Sequence, residues 1–164
     1  MNSQIKDVVS KCTICIASRT NRPAEPLNPR ELPHRPWSKV GADLFEIGSQ
    51  YYLMIVDYCL KFPEVVTFAN KTAHTVVRAC KSVFARLGTP DVLISDNGPC
   101  FDSELFREFA RSWEFKHTTT RPGYPQSIGL VENAVKSVKR LLKKAKKSGE
   151  DADNALLEFR NTHP

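Results

Sequence analysis

Three carboxylates in this chain sit where a plain structural role explains them poorly. Asp43 lies in Val40-Gly41-Ala42-Asp43-Leu44-Phe45, where strand alternation puts Phe45 and Ile47 on its own face and Ala42 and Leu44 on the other. A carboxylate in a strand apolar on both faces costs on the order of several kcal/mol unless it is paired or bound to a cation. Asp96 ends the apolar run Val92-Leu93-Ile94 and is followed by Asn97-Gly98. Asp-Asn-Gly is ordinary turn chemistry, but the carboxyl end of a buried strand is also where open α/β sheets seat their ligands. Glu132 opens a long helical pattern whose apolar stripe is Val131, Ala134, Val135, Val138, Leu141, Leu142 and Ala145. At about 100° per residue, Glu132, Lys136, Lys139, Lys143 and Lys146 fall on a different, narrow stripe. A solvated Glu→Lys row, worth ~0.3–0.5 kcal/mol per pair, accounts for that stripe. One acid leading a row of phosphate-binding cations accounts for it too.

Taken together, two strand acids, one helix acid and a basic stripe describe a chemical device. Two Mg²⁺ ions about 3.5–4 Å apart need hard oxygen ligands, which carboxylates supply, to assist in-line displacement at a phosphodiester. The charge distribution suits such a substrate. The net charge is +6, and seven cations (Lys136, Lys139, Arg140, Lys143, Lys144, Lys146, Lys147) lie within twelve residues that hold no acid. Outside that segment, basic and acidic residues nearly balance. The pattern favours a polyanion, nucleic acid first, as partner.

The elements that must position these acids follow from periodicity and punctuation. Lys39–Ile47 and Gln50–Tyr58 read as strands joined by Gly48-Ser49, a two-residue hairpin turn of type II′. Glu64–Ala69 completes a meander. Thr72 caps a helix that runs to Leu87 and stops at Gly88. Asp91–Asp96 is a short strand buried on both sides, and Asp102 is expected to cap the next helix, with Phe101 stapled to Phe106. Phe115–Thr120 forms a fifth strand. The loop Arg121–Ser127 precedes a helix over 128–147, and a last helix covers 151–160. This order predicts an α/β fold with a mixed five-stranded sheet flanked by helices.

Composition narrows the class. With 164 residues, 41% hydrophobic and 26% charged, the chain fits one globular domain with a short extra segment. No apolar run reaches the ~18 residues a membrane helix needs. Five cysteines, an odd number, argue against a secreted disulfide framework, so an intracellular setting is expected. Residues 1–18 form a leader with Cys12 and Cys15. Residues 19–37, with Pro23, Pro26, Pro29, Pro33 and Pro36, read as an extended linker, and 38–164 as the globular part.

The acids and their surroundings resemble the catalytic core of retroviral and gypsy-type retrotransposon integrases, which have an RNase H-like fold. Asp43 matches that family's first acid and Ser95-Asp96-Asn97-Gly98 its second. Pro125-Gln126-Ser127-Ile128-Gly129-Leu130-Val131-Glu132 matches the third, and thirty-five residues separate Asp96 from Glu132 as is typical there. The resemblance implies that Asp43, Asp96 and Glu132 bind Mg²⁺ or Mn²⁺, that Lys136 and Lys139 contact DNA, and that Gln126 lies in a substrate-touching loop. It implies a nuclear polynucleotidyl transferase acting on DNA, with a homodimer or higher oligomer left open. Cys12-Thr13-Ile14-Cys15 resembles the closing half of the family's zinc module; all four histidines follow Cys15, so it is expected to be a remnant without a complete zinc site. Ile128 and Asn133 depart from the family's usual Asn and basic residue. The alternative expectation is an inactive nucleic-acid-binding or protein-interaction domain that has kept the fold.

Overall fold

The structure, a computed structural model, describes Pro33 and residues 35–120 and 129–162, without the side chains of 129–132 and 162. Cys12, Cys15, Gln126, Ile128 and most of the 19–37 segment therefore lie outside the described residues. Among the described residues nine elements follow one another: β1 (Lys39–Ile47), β2 (Gln50–Asp57), β3 (Pro63–Phe68), α1 (Ala73–Leu87), β4 (Val92–Ser95), α2 (Glu104–Ser112), β5 (Lys116–Thr119), α3 (Gly129–Ser148) and α4 (Ala152–Thr162).

The five strands form one mixed sheet in the order β3-β2-β1-β4-β5. β1, β2 and β3 are an antiparallel meander, while β4 runs parallel to β1 and β5 parallel to β4. Gly48 has φ 66°, and Ser49 is not among the residues with positive φ, which is the type II′ pattern. Gly48 is also approached closely by the Lys146 ammonium, which bonds the Ile47 carbonyl at 3.4 Å; a Cβ there would collide with it.

Period-two alternation divides the core. Val40, Ala42, Leu53, Ile55 and Leu93 face α1 and α2, where Phe84, Phe106 and Phe109 meet them. Phe45, Ile47, Met54, Val56 and Ile94 face α3 and α4, packing on Val135, Val138, Leu142 and Leu156. Both sides of β4 are thus covered, as its unbroken apolar run requires.

Several element ends fall one or two residues from expectation, and the cap of α2 differs in kind. Ser103, not Asp102, caps α2: its hydroxyl accepts from the Phe106 N–H at 3.2 Å. Asp102 instead pairs with Arg107 at 3.0 Å. Both residue types cap well, and Ser103 prevails because its oxygen is the one in reach of the third helical N–H. The aromatic contact survives, with the Phe101 and Phe106 rings edge to face at 5.2 Å.

Candidate metal centre and basic groove

The β1–β4 register decides where the two strand acids meet. Lys39 pairs with Val92, Val40 with Leu93 and Gly41 with Ile94. Asp43 lies two residues beyond Gly41, and Asp96 two residues beyond Ile94 and one past the end of β4. Both acids line a cleft of about 260 Å³ with Gly41, Ile94, Ser95, Thr120, Val135, Lys136 and Lys139. Nearly a hundred residues of sequence separate these side chains. The sheet and one helix bring them together.

The two acids differ in surroundings. Asp43 is half-buried on the α3 side of the sheet, and Asp96 is exposed at the strand end. Burial pushes the Asp43 carboxyl above its ordinary 3.8; the neighbouring Lys139 opposes that rise, and the charge of Asp96 adds to it. Lys139 Nζ lies 3.4 Å from Asp43 Oδ2 and 4.9 Å from the centre of the Phe45 ring. Asp96 Oδ1 accepts from the Gly98 N–H at 3.2 Å, so it does close an Asx turn. That bond occupies one oxygen and leaves room for a ligand at the other. A side chain at position 98 would press on this carboxylate, because a Cβ there would stand 3.0 Å from Asp96 Oδ1.

The backbone of Glu132 sits in the first turn of α3, with its side chain outside the described residues. Among the described residues no group of three His, Cys, Asp or Glu gathers as a metal cage. The described geometry supplies a pair, Asp43 and Asp96. Leading away from that pair, Lys136, Lys139, Arg140, Lys143, Lys144 and Lys147 line an open groove along α3. Of the expected stripe, Lys146 departs to the β1–β2 turn.

Ser95 and His117 escaped the reading of the sequence. Ser95 Oγ donates to the Asp96 carbonyl at 2.8 Å and lies 2.8 Å from His117 Nε2. With the hydroxyl hydrogen on the carbonyl, Nε2 is the donor to Oγ. Thr120 sends both its N–H (2.9 Å) and its hydroxyl (3.1 Å) to the Ser95 carbonyl. This polar cluster fixes the end of β4 from which Asp96 projects. Burial lowers the His117 pKa from 6.5, the charge of Asp102 opposing, and the ring packs 4.8 Å from that of Phe106. Only the β4–β5 register, Ser95 opposite Thr119, brings the pair into reach; no local motif announces it.

Comparison with known proteins agrees with this arrangement. The integrase core domain family matches residues 33–125, more than half of the chain. An uncharacterized protein of Caenorhabditis elegans is 30% identical over 99% of this chain, which spans 13% of that protein. The Gag-Pro-Pol polyprotein of simian retrovirus SRV-1 is 32% identical over 88% of this chain and 8% of its own length. The chain thus corresponds to a small part of these relatives. Among solved structures, the trimeric form of the HTLV-2 integrase catalytic core domain in complex with magnesium superposes with a TM-score of 0.59. It is 27% identical, and the match covers 76% of this chain and 83% of that one. A five-stranded mixed sheet carrying two acids on adjacent parallel strands, in a chain matched by this family over most of its described residues, places the protein in the integrase core domain family, with its RNase H-like fold.

Proposed function

We propose that this chain is an integrase catalytic core that cuts and joins DNA by divalent-metal-dependent polynucleotidyl transfer. The observation that carries this reading is that Asp43 and Asp96 line one cleft, which shares Lys136 and Lys139 with a groove lined by cations. The donor set suits Mg²⁺ or Mn²⁺: anionic, hard oxygens held on β1 and just past the end of β4, whose mutual repulsion a cation relieves. Asp43 and Asp96 would hold the metal, with Glu132 as third ligand from the first turn of α3. Magnesium in the HTLV-2 core supports the choice of ion. Bound there, the metal supplies positive charge beside the attacking and leaving oxygens of a phosphodiester.

The chain's own residues do the rest. The middle of β1 and the end of β4 fix these two carboxylates before substrate arrives, so little reorganisation is needed during reaction. Lys136, Arg140, Lys143, Lys144 and Lys147 attract the DNA backbone along α3. Gln126 would meet the substrate from the loop preceding that helix. With DNA as substrate, the chain would work in the nucleus.

The test is a nicking and strand-transfer assay on the full chain with Mg²⁺ or Mn²⁺, wild type against Asp96→Asn. Wild type should cut only with metal and gain thermal stability from it, since metal binds the native state. Asp96→Asn should lose both effects while still binding DNA. A wild-type chain that binds DNA, ignores millimolar metal and leaves the DNA uncut would sink the enzyme reading in favour of a non-catalytic DNA-binding domain.

A further inference from the structure

We infer that Lys139 is an intramolecular occupant of the metal seat, which a divalent cation must displace from Asp43 in order to bind. The inference rests on the metal site proposed above and adds to it a residue that sets metal affinity. Three observations carry it. The Lys139 ammonium engages Asp43 Oδ2 at 3.4 Å, inside the cleft that Asp96 also lines. Its position over the Phe45 ring, 4.9 Å from the centre, gives the ammonium a second attraction at the same place. Both partners are partly withdrawn from water, with side-chain exposures of 35% for Lys139 and 28% for Asp43, so the attraction is screened less than on an open surface.

The competition follows from charge and from space. A divalent ion at either Asp43 oxygen shares one small carboxylate with the ammonium and repels it at close range. Seven residues past Glu132, Lys139 stands two turns along nearly the same face of α3. A released ammonium therefore has somewhere to go: the groove it shares with Lys136, Arg140 and Lys143. Metal binding moves one positive charge from the acid site to the surface where a phosphate backbone would lie. Occupation of the acids and readiness for DNA are thereby linked, and such linkage is reciprocal.

Mn²⁺ titration of the full chain without DNA, followed by the electron paramagnetic resonance of free Mn²⁺, tests this. Lys139→Met removes the charge and keeps a side chain of similar length; Lys139→Gln removes the charge with a shorter, polar chain and guards against a folding defect in either variant. Each should bind Mn²⁺ about three- to tenfold more tightly than wild type. Lys139→Arg should not. Lys143→Gln lies one turn beyond Lys139 and outside the cleft, so it reports the effect of lost charge alone and should change affinity less than about twofold. Equal tightening in Lys143→Gln and Lys139→Met would overturn the inference, as would unchanged affinity in the Lys139 variants. If wild type binds Mn²⁺, Asp96→Asn does not, and Lys139→Met shows no gain, only this inference fails. If no variant binds Mn²⁺ at all, the proposed metal site fails and the inference with it.

Discussion

Asp43 carries an electrostatic load that its own titration should reveal. Its folded-state pKa lies above 3.8, so in the window between the two values the native state holds the proton more tightly than the unfolded chain. Stability therefore falls as pH rises through that window, and the cost is fully present at neutral pH. Asp43→Asn should raise the melting temperature of the metal-free protein at pH 7, and the gain should vanish below about pH 3.8; denaturation across pH checks both. His117 behaves in the opposite sense. Its lowered pKa means that the unfolded chain takes up the proton first, so its contribution is full above pH 6.5 and is lost as pH falls toward the folded value. His117→Gln, measured against wild type over the same range, should remove that part of the slope. Asp43 was legible in the sequence because its neighbours on both faces are apolar. The Ser95–His117 contact and the Lys139–Asp43 pair were not, since each depends on a register or crossing between segments far apart in the chain.

Elements were legible wherever period and punctuation agreed. The β1 and β2 boundaries follow from alternation around Gly48-Ser49, and α1 from Thr72, whose hydroxyl accepts from the Thr75 N–H, and Gly88. The cap of α2 did not follow, because Asp102 and Ser103 are adjacent and equally able. How helices grip the sheet edge was also hidden. Glu64, buried on edge strand β3, receives Arg86 of α1 at 3.2 Å and Arg160 of α4 at 3.3 Å. Arg160 also donates twice to the Pro63 carbonyl, at 2.9 and 3.2 Å, and stacks 4.7 Å from Phe62. Its bonds are shielded and Arg86 is mostly exposed, so the two arginines should not count equally. Arg160→Ala should cost about 2–3 kcal/mol in urea denaturation, and Arg86→Ala less than about 1 kcal/mol.

At the scale of the molecule, charge and shape coincide. The cations concentrated in residues 136–147 become one side of α3, and that side begins beside the two acids. Composition alone predicted the polyanion; only the fold shows that the cations lead to Asp43 and Asp96. Lys136→Ala should weaken binding to any duplex by a similar factor and reduce the slope of log affinity against log salt by about one. An unchanged slope would mean that Lys136 meets solvent and not phosphate. The strand order was legible in outline, since three antiparallel strands followed by strand–helix–strand units leave few sheets that avoid crossed connections.

The segment just ahead of β1 has a mechanical consequence. Arg35 grips Asp91 with bonds of 2.7 and 2.9 Å, Trp37 N–H holds Asp57 Oδ1 at 3.1 Å, and the Trp37 indole N–H holds the Gly88 carbonyl at 2.7 Å. These anchors sit on three separate parts of the domain: the approach to β4, the end of β2 and the stop of α1. Tension applied to the chain ahead of residue 35 would be shared among them before any reached β1. Part of such a load would therefore enter the domain through Asp91, Asp57 and Gly88 rather than through the strand that carries Asp43.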